Sequence, residues 1–246
     1  MPPPGPPPAT SPGPDGRRSV RVDGVERSFL ERVPSGPVRT LVVDLHGLAS
    51  SPEQQRGFTG LDAVADAQGW LVLRPAASGA LRLWDARTDV AFVAALLDLA
   101  RAEHDVPAGR VVLVGFSAGG VAAGVLADLL GERVGAVVGV AAARLGDAPT
   151  RSTPLAVLGV ATLDDPVVPY AATVEFVRGW AAHAGCDPTT APTDVAAPVT
   201  TRWSGCAAPV ALLSVPGPAG HVVPGPACCD VDLATTVAAF VRDALP

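Results

Sequence analysis

Six short runs of almost uninterrupted apolar residues constrain the fold of this chain more than any other feature. A strand buried on both faces has this pattern, whereas a strand with one solvated face alternates apolar and polar residues. The runs therefore predict a mostly parallel β-sheet covered by helices on both faces. They extend over Thr40 to Leu45, Trp70 to Pro75, Arg110 to Gly115, Gly135 to Ala141, Leu155 to Ala161 and Val210 to Val215.

Segments with helical spacing separate these runs. The clearest extends from Thr88 to His104 and places its apolar residues on one face. Strands that alternate with helices are typical of a doubly wound α/β fold. The other predicted helices cover Leu61 to Gln68, Ala118 to Leu130, Ala171 to His183 and Leu233 to Ala244.

The N-terminal region has two parts of different composition. Met1 to Gly16 is rich in proline and holds no apolar stretch of the kind that forms a signal peptide, so we expect a disordered or polyproline II leader. The residues after it alternate around the turn signal Asp23-Gly24, which predicts an antiparallel hairpin at a sheet edge. With 246 residues and 48% apolar content, the chain suits one domain over residues 17–246.

Charge and residue patterning exclude several classes of partner. The formal net charge is -6, and no cluster of lysine and arginine interleaves with aromatic residues, so we expect no nucleic-acid partner. Charges or prolines interrupt every apolar run before it could span a bilayer. No histidine, cysteine and carboxylate cluster has metal-ligand spacing, so we expect no metal and no cofactor. The oligomeric state is left open.

Residues 115–119 have the pattern G-x-S-x-G, and their position gives the pattern its meaning. They lie where a buried strand ends and a helix of small residues begins. Glycines on either side let the backbone turn sharply there, which exposes the hydroxyl of Ser117 at the end of the strand. We therefore predict that Ser117 is a nucleophile; a structural turn is the alternative.

A serine hydroxyl needs a base, and the chain has four histidines. His104 and His183 close predicted helices, and His46 directly follows a strand, where a scaffold role suits it. His221 lies in a loop bounded by glycine and proline after the last predicted strand, so it is the predicted base. The acid that orients it should come from the adjacent pair of aspartates at 164 and 165. We favour Asp165, because a rigid Pro-Val-Val-Pro segment follows it.

An acyl-transfer site also needs two backbone donors for the oxyanion. The amide of Ala118, directly after the nucleophile, is one candidate. The loop that begins at His46-Gly47 supplies the other, with the Leu48 amide preferred over that of Gly47. Trp84 and Trp203 are candidate walls of a substrate pocket, and a place in the core is the alternative for each.

The four cysteines fall into two groups. Cys186 and Cys206 flank a loop rich in proline and threonine, which is compatible with a disulfide or with two separate buried thiols. Cys228 and Cys229 are adjacent, and a bond between neighbouring cysteines is strained. We therefore expect free thiols at 228 and 229.

Five ordered motifs carry a resemblance to a known family: LVVDLHG, GFSAGG, LDDPVVPY, WAAHAGC…TRWSGC and GHVVPG. From about residue 27 to 226 the chain resembles α/β-hydrolase esterases of the poly(3-hydroxybutyrate) depolymerase and feruloyl esterase group. The resemblance implies the α/β-hydrolase fold, with Ser117, Asp165 and His221 as triad and the loop at 46–48 as oxyanion support. It also implies a Cys186–Cys206 disulfide and export to the cell envelope or beyond, with a cytoplasmic location as the alternative.

The predicted function is hydrolysis of a carboxylic ester through an acyl-enzyme, with a small molecule or a polymer as substrate. The same triad on the same fold could belong to a serine peptidase or an acyltransferase. A binding module that has lost turnover is the further alternative.

Overall fold

The computed structural model describes residues 9–11, 13, 16–217 and 219–245. Within these residues, nine strands form one sheet in the order β1-β2-β4-β3-β5-β6-β7-β9-β8. The strands are β1 (Arg17–Val22), β2 (Val25–Arg32), β3 (Thr40–Leu45), β4 (Trp70–Pro75), β5 (Val111–Phe116), β6 (Ala136–Val140), β7 (Ala156–Thr162), β8 (Val199–Arg202) and β9 (Val210–Val215).

Seven α-helices occur in the same part of the chain, and none of them is long and apolar enough to cross a membrane. They are α1 (Pro52–Thr59), α2 (Asp62–Gln68), α3 (Ala86–His104), α4 (Ala118–Leu129), α5 (Tyr170–His183), α6 (Pro226–Cys229) and α7 (Leu233–Ala244). Short 3-10 helices cover Ala80–Arg82 and Gly131–Arg133.

The centre of the sheet is parallel and both of its edges are antiparallel. Neighbouring strands from β4 through β3, β5, β6 and β7 to β9 run in the same direction. β1 and β2 form the predicted hairpin, with Val22 opposite Val25, and β2 then joins β4 in the antiparallel sense. The prediction of a mostly parallel sheet with an antiparallel N-terminal hairpin is confirmed.

Two apolar cores lie on the two faces of this sheet. Successive strand residues alternate between them, as Leu41 and Val42 of β3 illustrate. Residues of α3, α4 and α5 fill the first core, and residues of α2 and α7 fill the second. The sheet is therefore covered by helices on both faces, which is why its central strands are mostly apolar.

The predicted leader lies mostly outside the described residues. Ala9, which the structure does describe, forms an antiparallel bridge with Val20. The amide of Thr10 donates to the carbonyl of Ser19 at 2.9 Å, and the guanidinium of Arg18 donates to the carbonyl of Thr10 at 2.8 Å. These residues thus lie along the outer edge of β1.

The cysteines form two disulfides among the described residues. The Cys186–Cys206 bond agrees with the expectation from the family resemblance. The expectation of free thiols at Cys228 and Cys229 is wrong, because these two residues are bonded to each other. The short helix α6 places them in one tight turn, and Asp230 ends that turn in the left-handed conformation. The turn brings two neighbouring side chains together that an extended chain would point apart.

Candidate active site

Ser117 lies in a sharp turn between β5 and α4, with φ 54° and ψ −122°. This backbone conformation is unfavourable for a residue with a side chain, so the surrounding structure must hold it. Close packing explains the glycines on either side. A Cβ atom at Gly115 would overlap the carbonyl oxygen of Gly119, and a Cβ atom at Gly119 would overlap the carbonyl oxygen of Leu45. The turn therefore depends on both glycines, as the motif predicts.

His221 joins the two other predicted triad residues. Its Nε2 atom lies 3.0 Å from Oγ of Ser117, and its Nδ1 atom lies 2.7 Å from Oδ2 of Asp165. The imidazole ring also stacks on the ring of Phe116, with 4.9 Å between the ring centroids. The structure thus brings together a hydroxyl, an imidazole and a carboxylate, in the order needed to pass a proton from the first to the second.

The two adjacent aspartates have different partners. Oδ1 of Asp165 accepts hydrogen bonds from the amides of Val167 and Val168 at 2.8 and 2.9 Å, which leaves Oδ2 for His221. The side chain of Asp165 is buried, as expected for a carboxylate held in one orientation.

Asp164 instead holds the loop that carries the histidine. Its carboxylate accepts from the amide of Ala219 at 2.9 Å and from the amide of Gly220 at 3.2 Å. The hydroxyl of Thr162 donates to the carbonyl of Gly220 at 2.8 Å. Both side chains therefore fix the backbone just before His221. In the sequence, Asp164 is only the alternative acid, and no motif there reveals this contact with the loop of His221.

His46 is buried completely behind the loop predicted to hold the oxyanion. The amide of Ala77 donates to its Nε2 atom at 3.1 Å, so the ring proton lies on Nδ1 and points to the carbonyl of Gly47 at 2.8 Å. Trp84 donates its indole N–H to the carbonyl of His46 at 2.8 Å. Burial lowers the pKa of His46 and keeps the ring neutral. His46 is therefore a scaffold residue and lies apart from the triad.

This arrangement sets the direction of the next peptide. In a trans peptide the C=O and the following N–H point in opposite directions. Because the carbonyl of Gly47 points to His46, the amide of Leu48 points away from it, and Leu48 itself lines the same cleft as Ser117. The amide of Ala118 is the first in α4 and lacks a carbonyl partner within the helix. Both predicted oxyanion donors are thus free to bind a ligand.

A cleft of about 410 Å³ opens in front of these groups. Its lining includes Ser117 and His221 together with the apolar residues Leu48, Phe58 and Val167. Leu48, Phe58 and Val167 are all strongly exposed for apolar residues. The cleft is therefore an open and largely apolar approach to the serine hydroxyl.

The two candidate tryptophans lie in different places. Trp84 lines an apolar cavity of about 560 Å³ together with Ala118, so it is next to the site. Trp203 follows β8, and its amide donates to the carbonyl of Val210 at the start of β9. That point is at the amino ends of the parallel strands, opposite to Ser117, and Trp203 is buried in the core. The prediction of Trp203 as a pocket wall is wrong, because the antiparallel β8 carries it to the other edge of the sheet.

One group of possible metal ligands occurs among the described residues, away from the cleft. Ligand atoms of Glu31, Glu103 and His104 lie within 4.8 Å of one another. The guanidinium of Arg18 contacts both carboxylates, at 2.7 Å from Glu31 and 2.8 Å from Glu103. Arginine therefore supplies the positive charge that a metal ion would bring, and the group is an ion-pair network.

The sheet topology and the tight turn at Ser117 together define a class of protein. A doubly wound sheet, a strained serine between β5 and α4 and a histidine after the last parallel strand are features of the α/β-hydrolase fold. Solved structures support this assignment, and the chain has the α/β-hydrolase fold.

The solved structures that resemble the chain include several esterases. An acetyl xylan esterase from Aspergillus awamori superposes with a TM-score of 0.71 at 15% identity, over 87% of this chain and 94% of that one. Esterase PE8 superposes with a TM-score of 0.64 at 20% identity, over 92% of this chain and 100% of that one. Est1E from Butyrivibrio proteoclasticus superposes with a TM-score of 0.61 at 15% identity, over 93% of this chain and 96% of that one.

Similarity in sequence is more limited. A bifunctional acetylxylan esterase/xylanase of Neocallimastix patriciarum is 30% identical over 105 residues. The match covers 41% of this chain and only 16% of that protein, so the chain corresponds to a small part of this relative. No protein-family model matches the sequence.

Proposed function

We propose that this protein is a serine esterase that hydrolyses carboxylic esters through an acyl-enzyme. The observation that carries the proposal is the position of the His221 ring, 3.0 Å from Oγ of Ser117 and 2.7 Å from Oδ2 of Asp165. With Nδ1–H donated to the carboxylate, Nε2 is free to accept the serine proton. The roles assigned to Ser117, His221 and Asp165 are therefore nucleophile, general base and orienting acid.

The proposed reaction has two similar halves. His221 accepts the hydroxyl proton as Oγ of Ser117 attacks the ester carbonyl, and the amides of Leu48 and Ala118 bind the resulting oxyanion. Collapse of this intermediate expels the alcohol, which receives the proton from Nε2 of His221. Water then attacks the acyl-enzyme by the same route and releases the acid.

The similarity to esterases supports an ester in preference to an amide as substrate. The Aspergillus and Neocallimastix proteins are named for acetyl xylan, and Est1E has been solved with ferulic acid bound. We therefore propose an acetyl- or feruloyl-esterase-like or polyhydroxyalkanoate-depolymerase-like activity. The continuous sheet from β1 to β9 supports a single catalytic domain over residues 17–246. The two disulfides support a location in an oxidising compartment, such as the cell exterior.

The test compares the hydrolysis of p-nitrophenyl acetate and butyrate by the wild type and by Ser117→Ala. We expect kcat to fall by about 10³-fold or more in the variant, because removal of a triad nucleophile leaves only binding and oxyanion stabilisation. Ser35→Ala is the matched control, since Ser35 is exposed and outside the cleft. A fluorophosphonate probe should label the wild type and the control but not Ser117→Ala. Equal hydrolysis by all three proteins would rule out Ser117 as the nucleophile.

A further inference from the structure

The apolar cavity beside Ser117 is distinct from the open cleft. Its volume is about 560 Å³, and one face of α4 forms its floor, with Ala118, Val121 and Val125. Trp84 and Leu145 also line it. Because Ala118 directly follows Ser117, one end of the cavity lies beside the nucleophile, and its lining continues from there along α4. We call this cavity the α4 groove.

The side chains that line the α4 groove offer no free polar partner among the described residues. Its charged residue, Asp89, is completely buried and already accepts from Arg27 at 2.5 Å, from the hydroxyl of Ser78 at 3.1 Å and from the amide of Asp85 at 2.7 Å. The indole N–H of Trp84 is likewise engaged. Beyond the amide of Ala118, a polar ligand would therefore lose its water without a side-chain replacement, whereas a hydrocarbon would lose nothing.

Two exposed leucines belong to the lining of the groove. Leu145 is 66% exposed and Leu83 is 47% exposed. Both line the groove, so a chain that enters it would cover their apolar surface as well.

The position of His221 decides which half of an ester enters the groove. Nε2 of His221 must reach the leaving oxygen to protonate it, so the alcohol lies on the side of the triad where His221 and Val167 line the cleft. Neither of these residues lines the α4 groove. The groove is therefore on the acyl side of the scissile bond.

The length of the groove limits the length of the chain. Its lining extends along α4 from Ala118 to Leu126, a distance of eight residue steps or about 12 Å at the rise of an α-helix. An extended chain advances about 1.2 Å per bond, so about ten bonds fill this distance. We propose that the α4 groove binds a straight, saturated acyl chain and gives the enzyme a preference for acyl groups of about eight to ten carbons. This inference rests on the proposed ester hydrolysis through Ser117, and its acyl group differs from the acetyl group and the ferulic acid named for the similar proteins.

The experiment measures kcat/KM for p-nitrophenyl acetate, butyrate, octanoate, decanoate and benzoate. For the wild type we expect kcat/KM to rise about two- to fourfold per added methylene up to octanoate, as burial of each methylene stabilises the bound chain. Val125→Phe, which fills the middle of the groove, should lower the octanoate-to-acetate ratio of kcat/KM by about tenfold or more. Leu145→Asp, on an exposed residue where the fold tolerates a charge, should lower the same ratio.

Val199→Phe is the matched control, because Val199 lies on the exposed edge strand β8 far from the groove. It should keep the wild-type ratio. The proposal is overturned if kcat/KM is flat or falls beyond butyrate in the wild type, if benzoate is preferred to octanoate, or if both groove variants keep the wild-type ratio. Failure to hydrolyse any ester contradicts the proposed function itself, and the inference with it, so the two failures are distinguishable.

Discussion

The imidazole of His46 and the carbonyl oxygen of Gly47 lie 2.8 Å apart in a site without solvent access. The contact joins the ring to the peptide between Gly47 and Leu48 and fixes the direction of that peptide. We propose that His46 acts on catalysis through the backbone, as a positioning residue for the predicted oxyanion donor at Leu48.

We therefore expect His46→Leu to lower kcat for p-nitrophenyl acetate by about 10- to 100-fold with little change in KM, since the oxyanion forms only after binding. His46→Asn keeps an N–H near the Nδ1 position and should retain several times more activity. Binding of a tetrahedral boronic acid should weaken in parallel with kcat. Equal losses in the two variants, or a loss confined to KM, would contradict a positioning role.

The same burial makes His46 a source of pH-dependent stability. Burial lowers the folded-state pKa of His46 below the unfolded value of about 6.5, so the unfolded chain takes up a proton that the folded protein does not. This contribution is complete above pH 6.5 and is lost as the pH falls from there toward the folded pKa. Urea unfolding at pH 7.5 and pH 5.5 should therefore show a larger drop in the free energy of unfolding for the wild type than for His46→Asn. Identical drops would contradict the prediction.

Substitutions at Asp164 and Asp165 should have different effects on kcat and on stability, because the two carboxylates contact different parts of the loop that carries His221. Asp165→Asn leaves the fold intact but removes the acceptor that fixes the imidazole tautomer, so kcat should fall by about 10³- to 10⁴-fold. Asp164→Asn loses charged caps on the amides of Ala219 and Gly220. It should cost about 1 kcal/mol of stability and reduce kcat by only about tenfold. Hydrolysis rates and urea unfolding of both variants check this; a reversed order would make Asp164 the orienting acid.

The backbone of Ser117 should store measurable strain. At φ 54° and ψ −122° a glycine avoids the unfavourable contacts that any Cβ atom makes. Strain of this kind costs about 1–3 kcal/mol, of which the greater freedom of unfolded glycine offsets part. Both Ser117→Gly and Ser117→Ala lack the hydroxyl, but we expect Ser117→Gly to be more stable than Ser117→Ala by about 1 kcal/mol in chemical denaturation. Equal stability would show that the turn is relaxed.

The two disulfides should contribute unequally to stability. The Cys186–Cys206 bond closes a loop with a sequence separation of 20, and loss of such a cross-link costs about 3 kcal/mol through the entropy of the unfolded chain. The Cys228–Cys229 bond has a separation of 1 and closes no loop of this kind. The double variant Cys186→Ser/Cys206→Ser should unfold at lower urea than Cys228→Ser/Cys229→Ser, its matched control. Thiol titration of the unfolded wild type checks that both bonds exist.

Most elements are predictable because their residues follow a local period. The observed bounds of the six buried strands and five of the helices lie within about two residues of the predicted ones. Helix α1 is not predicted from the sequence because it has no apolar stripe. Its buried residues include Gln55 and Thr59, which bind the buried carboxylate of Asp44. Strand β8 is not predicted either, because its four mostly exposed residues form a strand only by pairing with β9.

By itself, the sequence determined the α/β order of elements, the strained serine turn and the identity of the residue types that approach it. These features depend on neighbours along the chain, through burial period and glycine placement. The tertiary structure alone decided which aspartate meets a histidine 56 positions away, that this ring reaches a serine 104 positions away, and that Trp203 lies at the far edge of the sheet. The reason is physical: contacts of that separation follow from the spatial order and direction of the strands, which no local pattern encodes.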